Sequence, residues 1–209
     1  MTAPTATRRR STVVIRISGA LFVVAGGFRV GALLLLQLAE RFSHRGTFLS
    51  NDGFGQVIFA SILVAFSYAV LGLGFALLWL AQLRSLWQLV FLAIALGDAA
   101  LLVAEVQHQV VPDLVRVASL LVILVASLAA AAIVVWRRQF GPVTGILFVL
   151  FLVAEAYSAL AALANLDPAD FTIASYVLQF SNAGTAIVAG VALVVRPRTR
   201  STATGLSET

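Results

Sequence analysis

The chain contains no cysteine, which excludes disulfides, thiolate metal sites and cysteine nucleophiles. It contains no lysine either: all 14 basic residues are arginine. Only 11% of its 209 residues are charged, whereas 61% are hydrophobic. Soluble domains carry roughly 25% charged and about 45–50% apolar residues. This composition therefore argues against a water-soluble core and for helices in a bilayer. No HExxH, GxxxxGK[ST] or GxSxG occurs, so the sequence offers none of the metalloprotease, phosphate-loop or hydrolase chemistry that those spacings serve. Abundant alanine, valine and leucine without lysine is the usage of a GC-rich bacterial genome.

What is present is a series of long apolar runs. They predict an all-α, polytopic integral membrane protein with six transmembrane helices in one bundle, over 13–39, 55–81, 86–107, 114–136, 142–164 and 171–195. Each run exceeds the roughly 20 residues that a spanning helix needs. Turn chemistry separates the runs, as at Asn51-Asp52-Gly53, Pro112-Asp113, Gly141-Pro142 and Asp167-Pro168. The expected organisation is a basic cytoplasmic tail over 1–12, a membrane domain over 13–196 and a polar, disordered cytoplasmic tail over 197–209.

The arginines set the expected orientation. Arg8, Arg9, Arg10, Arg16, Arg84, Arg137, Arg138, Arg196, Arg198 and Arg200 fall at one set of helix ends, and only Arg41, Arg45 and Arg116 at the other. The positive-inside rule then places both termini in the cytoplasm of a bacterium, in its inner membrane. Trp79, Trp87 and Trp136 fall at cytoplasmic helix ends, where interfacial indoles belong. Arg8-Arg9-Arg10 before an apolar run resembles a secretory or twin-arginine signal. The run is too long for a signal core and lacks a small-x-small cleavage site, so a retained first helix is expected. The net charge of +5 is accounted for by topology, with lipid rather than nucleic acid as the partner.

Three ionisable residues interrupt the apolar runs: Arg29, Asp98 and Glu155. A charge at the bilayer centre costs roughly 2.5–3.5 kcal/mol on insertion scales and by default faces the bundle interior and serves function. Helices 1, 3 and 5 run in the same direction, so all three groups share one depth. One positive and two negative charges leave one negative charge unbalanced, and a carboxyl there could load and release a proton. Helix 6 adds a polar stripe of Thr172, Ser175, Tyr176, Gln179 and Asn182, and helix 2 brings Tyr68 to a similar level. A central cavity lined by Arg29, Asp98, Glu155, Gln179, Asn182 and Tyr68 is expected, with Glu105 and His108 in an outer vestibule. Helix 4 offers only Ser119 and Ser127, which suits a lipid-facing or dimer-facing helix.

Two further patterns are weaker. A shift of 57 residues pairs Trp79 with Trp136, Phe91 with Phe148 and Asp98 with Glu155, as a parallel repeat of helix pairs would. Any two transmembrane hairpins share such features, so the match does not establish a duplication. Gly27 and Gly31 form a GxxxG on helix 1, suited to close helix approach or a homo-oligomer contact; Ala186 and Gly190 repeat the spacing on helix 6. His44 and His108 fall on exterior segments without ligand spacing, so no metal or other cofactor is expected.

The residues favour a membrane protein that binds or transports a small solute, with proton linkage through Asp98 and Glu155 and with Arg29 as their charge partner. An alternative is a non-transporting accessory protein in which Arg29 and the acids form a structural ion pair. A third is a membrane enzyme acting on a lipid near Glu105 and His108. No catalytic residue is identified.

Overall fold

A computed structural model describes residues 4–43, 51–81, 88–106, 113–137, 140–164 and 173–195. It is all-helical: α1 (Pro4–Ser43), α2 (Asn51–Ala81), α3 (Leu89–Val106), α4 (Asp113–Arg137), α5 (Pro142–Ala164) and α6 (Ile173–Val195). Five of these helices are long and apolar enough to cross a membrane, the exception being α3, whose apolar stretch is shorter. At about 1.5 Å per residue the 18 residues of α3 rise about 27 Å, just under the roughly 30 Å hydrocarbon core.

Helix α1 starts earlier than the apolar run, at Pro4. Proline suits the first helical position, and the Thr, Ala and Arg residues that follow sustain a helix without being apolar. The segment expected as a basic tail is therefore helical from Pro4. Helix α5 keeps the expected bounds because Gly141-Pro142 punctuates it, and Gly145 N–H donates to the Gly141 carbonyl 2.7 Å away to close the first turn.

Each helix packs against its neighbours in sequence, and α6 packs against α1, so the six helices close into a ring. Lipid is as apolar as leucine, so close packing rather than water exclusion must hold such a ring together. The closure supplies it with glycine. Gly19 and Gly190 face each other: a Cβ on Gly19 would lie 2.6 Å from the Gly190 carbonyl, and one on Gly190 would lie 2.5 Å from that of Gly19. Gly26 fits against Ile187 and the Ala183 carbonyl in the same way. The pairing of 19 with 190 and 26 with 183 makes α1 and α6 antiparallel. The GxxxG residues are placed elsewhere: among the described residues Gly27 has nothing within 4 Å and Gly31 meets only Leu63 of α2.

The ring is filled with phenylalanine. Phe22 of α1, Phe75 of α2, Phe91 of α3, and Phe148 and Phe151 of α5 are fully buried. Phe75 and Phe151 stack across the ring at 5.9 Å, Phe22 lies 4.9 Å from Phe75 and 5.3 Å from Phe151, and Phe91 lies 6.1 Å from Phe148. Such pairs contribute about 0.5–1.5 kcal/mol each beyond their burial. The outside carries exposed Leu34, Phe59, Phe66, Leu96, Val125 and Ile146 among many others. A contiguous apolar exterior of this extent belongs against lipid. Helix α4 is a full member of the ring. Ser119, Ser127 and Ala130 are buried on its inner side, while Leu121, Val125 and Leu128 are exposed.

Candidate functional site

The polar layer is built by one spacing used on four helices. On α1, α3 and α5 an ionisable residue follows a buried phenylalanine by seven positions: Phe22 and Arg29, Phe91 and Asp98, Phe148 and Glu155. Seven residues are two helical turns, which keeps both side chains on one face about 10 Å apart. Helix α2 runs the other way and presents the same pair in reverse, Tyr68 then Phe75. The aromatic rings thus form one level of the interior and Arg29, Tyr68, Asp98 and Glu155 form the next.

At that level Arg29 Nη1 donates to Glu155 Oε1 over 2.5 Å, and the guanidinium carbon lies 5.7 Å from the centroid of the Tyr68 ring. Asp98 is within electrostatic range of both Arg29 and Glu155. Glu155 and Asp98 are buried, and the Arg29 side chain remains 14% exposed. Bonding to one acid and stacking on a phenol is how a guanidinium satisfies several of its faces at once.

Glycine admits the second acid. A Cβ on Gly72 of α2 would sit 3.2 Å from the Ala95 carbonyl and 3.3 Å from Asp98 Cβ. The bare backbone at 72 thus lets α3 bring Asp98 inward. Asp98 Oδ2 is buried and has no hydrogen-bond partner among the described residues.

Helix α6 lies between α1 and α5 in the ring, and its inner face reads Asn182, Ala186, Ala189 and Leu193, all buried. The register of Gly19 with Gly190 and of Gly26 with Ala183 sets residue 180 opposite Arg29, so Gln179 and Asn182 both lie within two residues of its depth. Asn182 Oδ1, like Asp98 Oδ2, is buried without a partner among the described residues. The buried hydroxyls of Ser18, Ser67 and Ser119 differ, because each donates to a carbonyl of its own helix at 3.1, 2.7 and 2.7 Å. Ser127 Oγ is also without a partner, but the contact of Gly97 with Ile123 places Ser127 a turn further on, toward the phenylalanine level.

Of the residues singled out from sequence, Arg29, Asp98, Glu155 and Tyr68 come together at one level, and Gln179 and Asn182 of α6 lie within two residues of the depth of Arg29. Gln179 lies one turn before Asn182 and is half-buried. Glu105 falls in α3, but its side chain lies outside the described residues, as do His108 and His44. Among the described residues no cluster of three or more His, Cys, Asp or Glu is placed to hold a metal ion. Sequence reasoning missed the phenylalanine level, whose signal was the repeated seven-residue offset. No protein-family model matches the chain, and neither does any curated protein or solved structure. The fold and the site define the class: a membrane-embedded helical protein with an interior layer of ionisable residues.

Proposed function

We propose that the chain crosses the inner membrane of a bacterium six times, with both termini in the cytoplasm, and that its interior binds a small solute and moves it across. Helix α3 joins the five longer spans because it closes the ring between α2 and α4 under the same apolar exterior. The arginine distribution supports the orientation.

The observation that carries the reading is Asp98 Oδ2. A buried acceptor left without a donor costs about 1–3 kcal/mol, and more when charged. A fold maintained only for packing gains nothing from that cost. A group that must take up and give back a bound species needs a position with no permanent partner. Reconstitution into proteoliposomes tests the reading, by comparing proton and solute flux of the wild type with Asp98→Asn and Glu155→Gln. Equal flux in all three removes the acids from any transport role.

A second reading is favoured by a different observation. The closed Arg29–Glu155 bond, backed by Tyr68, is what a purely structural ion pair requires. That reading accounts for Arg29 and Glu155 and leaves Asp98 unexplained.

A further inference from the structure

Donors and acceptors at the polar level are unequally engaged. Arg29, the one cation there among the described residues, is bonded to Glu155 and packed on Tyr68. Among the described residues the atoms left without partners at this depth, Asp98 Oδ2 and Asn182 Oδ1, are both acceptors, on residues only 2% and 1% exposed. With all three ionisable groups charged, one negative charge is unbalanced. An anionic solute would have to prise Glu155 from Arg29 and sit beside two carboxylates. A cation needs no existing bond broken and meets at Asp98 a carboxylate oxygen, the ligand type that hard cations prefer.

We infer that the interior site is a cation site, in which a proton or an alkali-metal ion is held at Asp98 Oδ2 while the Arg29–Glu155 pair stays closed. This inference rests on the reading of the interior as a binding site and names what it binds. The charged groups facing Asp98 are Arg29 of α1 and Glu155 of α5, with Tyr68 of α2 lying under Arg29. Helix α4 brings Ser119 and Ile123 against α3 at Gly97, neither of them titratable, and the inner face of α6, on the far side of the Arg29–Glu155 bond, carries no titratable group among the described residues.

A hydrophobic carbodiimide distinguishes the occupants. It reacts with a carboxylic acid only in its protonated form: the acid proton moves to a carbodiimide nitrogen and the carboxylate adds to the central carbon, with nothing oxidised or reduced. The full chain in detergent is treated over a range of pH, with and without sodium, and the adduct is located by mass spectrometry on the wild-type protein, so the result does not depend on a variant folding. The expected result is an adduct on Asp98 that fades as pH rises. Suppression by sodium identifies a metal-ion site, and indifference to sodium identifies a proton site. An adduct confined to Glu155, labelling that ignores pH, or no adduct on Asp98 at any pH overturns the inference. Asp98→Glu should keep the adduct and Asp98→Asn should lose it. Labelling without flux in proteoliposomes leaves the cation site standing and removes transport; flux without labelling of Asp98 does the reverse.

Discussion

Arg29 and Glu155 join α1 to α5 through the interior of the ring, although α6 separates those two helices around its circumference. The bond therefore braces the bundle across rather than along its wall. It also determines which acid is left over, since Asp98 sits in the field of both partners without sharing the bond.

Arg29→Gln leaves two acids buried at one level without a cation. Removing one partner of a buried pair typically costs about 3–5 kcal/mol, whereas removing both is often close to neutral. The double variant Arg29→Gln with Glu155→Gln is therefore expected to be more stable than Arg29→Gln alone. Thermal unfolding of the purified proteins in detergent measures the order. A double variant as unstable as the single would show that the pair does not act as a unit.

Gly19 and Gly190 predict a strict size limit at the ring closure. Alanine at either position drives a methyl into the opposing carbonyl at 2.6 or 2.5 Å, and backbone cannot yield as a side chain can. A loss of about 1–3 kcal/mol is expected for Gly19→Ala and for Gly190→Ala, as for overpacking elsewhere. Gly27→Ala meets open space and should lose nothing in the isolated chain. Its assembly state, by light scattering before and after the change, reports whether the open glycine face joins two copies.

The common depth of Arg29, Asp98 and Glu155 was legible because hydropathy and helix direction fix depth. Helix α5 was legible to the residue because Gly141-Pro142 marks its start. Which face of α1 packs was not. The GxxxG of Gly27 and Gly31 is the more recognisable pattern, yet Gly19 and Gly26, seven apart, make the close contact, because the partner helix selects the face. The partnerless state of Asp98 was hidden for the same reason. Sequence gives a residue its depth and its rotation about the helix, while the identity of its neighbour depends on how the ring closes. Helix α4 looked peripheral for want of charge; its place in the wall comes from Ala126, Ala130 and Ala131, which are buried and carry no polar signal.

The cysteine-free chain makes orientation directly measurable. Single cysteines in place of Thr7, Asn51 and Ser201 can be labelled in intact cells with a membrane-impermeant maleimide. With six crossings and both termini inside, Asn51→Cys is labelled from outside, and Thr7→Cys and Ser201→Cys only after the membrane is opened. Five crossings would put Thr7 and Ser201 on opposite sides and give them opposite results.

The phenylalanine level should act as the seal between the polar layer and the N-terminal ends of α1, α3 and α5. Phe151 is central to it, with its ring 5.3 Å from Phe22, 5.9 Å from Phe75 and 6.1 Å from Phe148. Phe151→Ala removes partners on three sides at once, with an expected cost of about 3–5 kcal/mol if the bundle cannot collapse into the space. The opening would also give water a way from Asp98 toward those N-terminal ends. Proteoliposomes carrying Phe151→Ala are therefore expected to dissipate a proton or sodium gradient faster than the wild type, while Phe151→Leu, which refills most of the volume, stays tight. Phe140 serves as the control, since it contacts Phe148 at 5.3 Å from the turn before α5 and stands outside the cross-ring stack. A leak from Phe140→Ala equal to that from Phe151→Ala would mean that general loosening, rather than an opened seal, carries the ions.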